Sequence, residues 1–517
     1  MLEQLPILSI LTWLPVIGAI LALCTGGDKH ANKARIIAVT VATINLLLCI
    51  PLYLAFDPMR WDMQFVENVL WIRAYQTHYA LGVDGISLLM VILTNFTGLL
   101  VVIAGCQAIK VRVSQYMAAF LVLQGMIVGV FCAMDAILFY VFWEGMLIPM
   151  YLSIGMWGSA NRSYASIKFF LFTFFGSVLM LVALIYLYNQ TGSFMIENFY
   201  GLPLSPNTQR WLFFGFLFAF AVKVPMWPVH TWLPDAHTEA PAGGSVVLAA
   251  LMLKLGIYGF LRFSMPIVPH ASAELAWVMI ILSLIAIVYI GLIAIVQTDM
   301  KKLIAYSSIA HMGFATLGCF MVYDIVEHLH TLQDAYMSLE GAVIQMIAHA
   351  FGSGAMFLGI GMLADRFHSH SRLIKDYGGV ANKMPIFAAF FMLFAMSNVG
   401  LPGTAGFVGE FMIIMSAFQA HFWVALFAAC TLILSASYTL WLYKRVFFGP
   451  VANDYVANFK DVTVIEKINY VLLAAGVFVV GLYPQPIIDV MKVTIGHLLL
   501  QIIPPDLAYN VPTSLFA

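Results

Sequence analysis

Four ionisable side chains stand inside long apolar runs of this sequence, and residues of those types in such places can carry protons. Glu144 lies within LFYVFWEGMLIPMY, Lys223 within FAFAVKVPMW, Lys254 within LMLKLGIYG and Glu410 within GFVGEFMIIM. A charge at the centre of a spanning helix costs roughly 2.5–3.5 kcal/mol, so four together cost on the order of 10 kcal/mol. Burial lowers the proton affinity of a lysine and a neighbouring carboxylate restores it, so a carboxylate that shifts its distance loads or unloads the amine. Arginine has no such tunable proton, and no arginine stands in mid-span here. Ion pairs that only fix helix packing are the plainer account. Two lysines and two glutamates spread over four helices form a line rather than one pair, which favours transport.

Histidines extend the line. His311 (SSIAHMGF) and His349 (QMIAHAFGSG) fall between Lys254 and Glu410 in chain order, and imidazole relays protons near neutrality. A hydrogen-bonded core histidine is the alternative for each. His230 and His237, in VHTWLPDAHTEAP beside Asp235 and Glu239, suit either proton uptake from the inner side or a polar cap on a loop. Lys168 stands one turn into its helix and is expected to snorkel to the inner interface. Asp135 is expected to cap the start of the fifth span.

The elements that hold these residues must be membrane helices. The chain has 517 residues, 62% hydrophobic and only 9% charged, against roughly 25% charged in soluble domains. Its formal net charge of −1 offers no basic face for nucleic acid. The six cysteines are scattered without a CxxC pair, which indicates small buried hydrophobes rather than a disulfide framework or a cluster site. No glycine-rich nucleotide loop is present, and no His/Cys/Asp cluster has metal-ligand spacing.

Apolar runs long enough to span occur near 4–24, 34–56, 82–106, 115–132, 134–157, 164–188, 211–235, 241–263, 274–297, 303–322, 338–364, 384–418, 422–443 and 467–489, which predicts an all-α polytopic membrane protein of about fourteen helices. With the N-terminus outside, most Lys and Arg fall on the inner loops, as the positive-inside rule asks. These include Lys29, Arg35, Arg112, Lys301, Lys302, Arg366, Arg372 and Lys444, whereas Arg60, Arg73, Arg210, Arg262 and Lys492 fall outside. Both termini are then expected on the outer side. Loop 323–337, with Asp324, Glu327 and Asp334, is expected outside too, and segments 57–81 and 490–517 are expected to be interfacial. The N-terminus reads as a first span rather than a cleaved signal.

Two spans are expected to be broken. In the seventh, Lys223 is followed by Pro225 and Pro228, which remove donors and clash with the preceding turn. The twelfth, 384–418, would be about 50 Å long as one helix, against a bilayer core of about 30 Å, and it contains Gly400, Leu401, Pro402 and Gly403. Broken spans in corresponding places suggest inverted repeats. The seventh and twelfth are five spans apart, so units 115–263 and 274–443 would be inverted five-helix repeats, with 1–114 (helices 1–3 and an outer loop) before them and 444–517 (an inner loop, helix 14 and an outer tail) after.

Five segments, FWEGMLIPMYLSIGMWG (142–158), KVPMWPVHTWLPDAHTEAP (223–241), LKLGIYG (253–259), DMKKLIAYSSIAHMGF (299–314) and GLPGTAGFVGEF (400–411), closely resemble the antiporter-like, proton-translocating membrane subunits of respiratory complex I, NADH–quinone oxidoreductase, and best its M type. The resemblance covers essentially the whole chain. It implies that Glu144 and Lys223 are the family's glutamate–lysine pair, Lys254 the connecting lysine and Glu410 the terminal residue on the broken twelfth helix, with buried His311 and His349 between the last two. Glutamate at that last place, where sister subunits carry lysine, points to the M type, and the lack of a long lateral helix argues against the distal L type. It also implies NADH, flavin, iron–sulfur clusters and quinone on other subunits and none bound by this chain, neighbouring L- and N-type chains and membrane lipids as partners, and a bacterial inner-membrane location with periplasmic termini. The main rival is the related Na⁺/H⁺ antiporter subunit. A membrane-bound hydrogenase module and a purely structural subunit are the others.

Overall fold

The computed structural model describes residues 5–329, 331–367 and 370–504. The protein is a mostly helical membrane body. Among the described residues, eleven helices are long and apolar enough to cross a bilayer, and Ile7–Leu23, Pro385–Val399 and Ala405–Ala420 are shorter apolar helices. Helices dominate because backbone polar groups in lipid must be satisfied within the segment.

Burial sorts these helices. Ala242–Ile267 and Met300–Leu329 are wholly enclosed and Leu332–Arg366 nearly so, whereas Gly27–Ala55, Arg162–Thr191 and Phe422–Phe447 keep broad apolar faces outward. The three enclosed helices carry Lys254, His311 and His349. A helix with no lipid-facing side can tolerate a polar group only if the protein itself supplies the partner.

Both expected breaks are present. Pro206–Lys223 ends before a non-helical stretch, and helix resumes at Trp232–Glu239. The Trp232 indole ties the second half back to the first by donating to the Val222 carbonyl at 2.9 Å. In the other break Pro385–Val399 stops at Gly400, whose φ of 83° is left-handed, and Ala405 starts the next half. A Cβ on Gly406 would lie 2.0 Å from the Ser397 carbonyl oxygen, so only glycine lets the two halves fold against each other.

Other features depart from the sequence reading. The fifth span is kinked at Met146, between Ala136–Gly145 and Leu147–Trp157, because Pro149 leaves the Gly145 carbonyl without its N–H partner. Helix Ala242–Ile267 contains two wide π turns, Leu248–Met252 and Phe260–Ser264. Residues 57–81 are more than an interfacial stretch. Gln64–Ile72 and Thr77–Val83 form an antiparallel hairpin in register Gln64↔Val83, whose β-branched and aromatic run is a strand signal too short for a span.

Helix Met300–Leu329 runs past residue 322, so Asp324 and Glu327 belong to it and not to an outer loop, and Asp324 is buried. Beyond Val464–Leu482 the chain turns at Pro484 and forms a further helix, Gln485–Ile502, packed on Gly85–Ala108 and Leu332–Arg366. Most of the stretch expected to be interfacial is therefore packed, and residues 505–517 lie outside the described residues.

Gly406→Val should lower stability by about 1–3 kcal/mol through overpacking, seen as a lower thermal unfolding midpoint of the detergent-solubilised protein. Gly354→Ala, whose Cβ would meet nothing closer than 3.8 Å, should leave the midpoint unchanged.

Candidate functional site

Glu144 occupies the last turn before the Met146 kink, half-buried, where the Ser177 hydroxyl donates to its carboxylate. Lys223 is the last residue of its half-helix, at the carbonyl end where the helix dipole favours a cation. Its ammonium is 1% exposed and has no hydrogen-bond partner in the protein. It faces the rings of Trp143, at 5.2 Å, and Phe169, at 5.8 Å, which offer cation–π attraction in place of an acceptor. Glu144 is the charge within electrostatic reach of Lys223, near it without contact.

Lys254 is fully buried between the two π turns of its helix. Its ammonium donates to the Ala249 carbonyl, five residues back and inside the first π turn, and contacts His349 Nδ1 at 2.8 Å. The wide turn thus presents a carbonyl to the lysine, a use of π geometry common at functional sites. The His349 ring stands 5.7 Å from that of His311. Nδ1 of His311 meets Glu410 Oε1 at 2.9 Å, and Gln345 donates to the same oxygen at 3.1 Å. Lys254, His349, His311 and Glu410 therefore form one buried file across the enclosed helices. The outward Nε2 atoms of both histidines and Oε2 of Glu410 have no protein partner.

The residues around the break in the seventh span separate into two groups. His230 is buried in the break and its charged neighbour is Lys168, which pairs with Asp235 at 2.7 Å. His237 is wholly enclosed, stacked on Phe357 with centroids 4.3 Å apart, and both its ring nitrogens lack partners. Its charged neighbours are Lys301 and Lys254, not Lys223. Asp135 caps its helix as expected, accepting from the N–H groups of Ile137, Leu138 and His78.

Several polar residues were missed. Lys301, assigned to a loop edge, is buried and donates to the Ala240 carbonyl at 2.7 Å. Arg262, also assigned to a loop, belongs to Ala242–Ile267 and pairs at 2.5 Å with Asp84, the cap of Gly85–Ala108. Gln345 is a neutral donor with no motif to announce it. Arg372 fastens the second half of the broken helix, reaching the Thr238 carbonyl at 2.5 Å, Ser159 at 2.7 Å, Asp299 at 3.3 Å and Glu239 at 3.5 Å.

The family described as NADH:quinone oxidoreductase/Mrp antiporter, TM, matches residues 133–435, a stretch that holds all six members of the Glu/Lys/His series. The chain belongs to this family. It is 46% identical over 508 residues to NADH-quinone oxidoreductase subunit M of Rhodobacter capsulatus, covering 95% of this chain and 96% of that one. It is 39% identical over 492 residues to NADH-ubiquinone oxidoreductase chain 4 of Marchantia polymorpha, covering 95% and 96%. A chain in the structure of respiratory complex I from Thermus thermophilus with bound NADH superposes with a TM-score of 0.85 at 27% identity, covering 96% of this chain and all of that one. Those relatives are subunits of the complex I enzyme, which matches the M-type resemblance of the sequence motifs.

Arg372→Ala removes an ion-pair partner shared by Glu239 and Asp299. It should destabilise the protein by about 1.5–3 kcal/mol, the range for hydrogen bonds to charged groups, measured by denaturant titration of the purified protein.

Proposed function

We propose that this chain moves protons across the membrane as the M-type subunit of a bacterial complex I, driven by NADH oxidation and quinone reduction on other subunits. The observation that carries this reading is the buried file from Lys254 through His349 and His311 to Glu410, with Lys254–His349 and His311–Glu410 contacts of 2.8 and 2.9 Å and the two imidazole centroids 5.7 Å apart. A purely structural subunit has no need of unscreened charge on its most enclosed helices.

In this reading a proton enters from the inner side past His230 or His237 and loads Lys223. It passes laterally through Lys254, His349 and His311 and leaves towards the outer side at Glu410. Glu144 sets the proton affinity of Lys223 by changing its distance, a two-state shift whose populations follow the energy difference between near and far positions. The reading includes fourteen spans, ten of them in two inverted five-helix units, 115–263 and 274–443, with an inner bacterial membrane and termini on the outer side. Contacts between loops support the topology. Asp28 accepts from the N–H groups of Arg112 and Val113, and Arg366 pairs with Glu466, each joining segments assigned to the inner side. The chain itself binds no redox cofactor in this proposal, and its neighbours are L- and N-type chains and lipid.

The matching family also includes Mrp antiporters. Near-complete reciprocal coverage with subunit M relatives favours the complex I reading. The test is Lys223→Ala in the assembled complex, reconstituted in vesicles. Protons moved per NADH oxidised should fall to a small fraction of the unmodified value. Normal stoichiometry would refute the relay, and sodium-dependent exchange without NADH would favour the antiporter reading.

A further inference from the structure

A buried acid without a hydrogen-bond donor lies outside the relay. Asp324 sits near the end of Met300–Leu329 opposite Lys301 and Lys302. It is 2% exposed, and neither carboxylate oxygen has a hydrogen-bond partner in the protein. Its contact with His328 Nδ1, at 3.4 Å, is an ion-pair distance only, because that nitrogen reaches the main-chain carbonyl of Asp324 at 3.0 Å. A carboxylate with a purely architectural role gathers donors, since a buried acceptor left unmade costs free energy.

Its surroundings are titratable and lead to the surface. Among the described residues, the charged or titratable groups that act on Asp324 are Glu327 and His328 on its own helix and His421 across from it. Glu274, on the neighbouring Pro269–Glu274 helix, is taken up by Arg210 at 2.8 Å. The His328 side chain is half-exposed. His421 is the residue between Ala405–Ala420 and Phe422–Phe447; its ring packs edge-on to Trp277 at 5.2 Å, and its Nδ1 is buried without a partner.

The same two helices, with the residue that ends the second, thus carry an acid and an imidazole at two levels. In mid-body His311 of Met300–Leu329 meets Glu410 of Ala405–Ala420. About 20 Å further along the first helix and about 17 Å along the second, by the 1.5 Å rise, the two residue types recur on exchanged elements, as Asp324 and His421, within electrostatic reach but without a hydrogen bond. His421 ends that helix with extended backbone, eleven residues beyond Glu410. Between the two pairs lies an apolar layer where Ile413 packs on Gly318 and Gly341, beside Ala417.

We propose that Asp324 and His421 are the outer terminal of the relay, the acid–base pair through which a proton leaving Glu410 reaches outer water, with His328 at the surface. This rests on the relay reading and adds two residues to it. The O–H bond of Glu410 breaks, water carries the proton across the apolar layer, and an N–H bond forms at His421. Asp324 then accepts that proton, and His328 passes it to bulk water, leaving every group as it began.

The test uses the assembled complex in vesicles, with Asp324→Asn, His421→Gln, Asp324→Glu and Glu410→Gln. The first two variants should lower protons moved per NADH oxidised several-fold, and Asp324→Glu should restore most of it. The dependence of the pumping rate on outer pH should differ between the unmodified complex and His421→Gln, which a merely structural role would not produce. If Glu410→Gln stops pumping while Asp324→Asn and His421→Gln pump normally, the outer terminal is refuted and the relay stands. If Glu410→Gln also pumps normally, both fail. Should Asp324→Asn not assemble, His421→Gln and its outer-pH profile decide the matter, an unaltered profile overturning the assignment.

Discussion

Lys254 stands on a helix with no exposed face, so its ammonium must find every acceptor inside the protein. That single demand organises the centre of the molecule. The π turn at Leu248–Met252 supplies a carbonyl, and Leu332–Arg366 supplies the His349 ring. Meeting the demand with an imidazole rather than a carboxylate leaves the site neutral enough to lose or gain a proton. A fixed ion pair at the same depth would be harder to discharge, because removing either partner strands the other.

The file continues only because two helices are interrupted. Glu410 reaches His311 from a half-helix whose position depends on Gly400 and on the bare Cα of Gly406. Lys223 ends the other half-helix, held in an aromatic box instead of a hydrogen-bonded socket. The two lysines differ in kind for that reason. Lys254 has defined partners, whereas Lys223 is kept by ring faces and by a carboxylate at a distance, an arrangement sensitive to small movements of Glu144. One end of the body is by contrast pinned by Arg372 and the other by Asp84 with Arg262.

Likeness to subunit M and chain 4 extends over almost the whole length of each relative, and the fold likeness to a complex I chain holds at 27% identity. A backbone preserved at that distance fits a fold whose inner helices are constrained by buried charge while outer faces need only remain apolar.

Glu144, Lys223, Lys254 and Glu410 were legible in the sequence because charge within an apolar run is costly wherever the helix ends up packing. Both broken spans were legible too, since Pro225, Pro228 and the Gly400–Gly403 stretch act on the backbone locally. The hairpin at 64–83 was missed because a hydropathy reading measures spans and passes over short strands. Asp324, Lys301 and Arg262 were misplaced because each stands near a helix end, where composition alone gives no boundary. The sequence by itself determined the membrane class, the list of costly charges and the points where helices break, all of which follow from local chemistry. Only the tertiary structure decided which polar groups meet: that Lys254 contacts His349, that Gln345 serves Glu410, and that Arg372 reaches Glu239. Those pairings join residues dozens to more than a hundred positions apart, and they depend on which helix faces become enclosed, a property of the packed bundle as a whole.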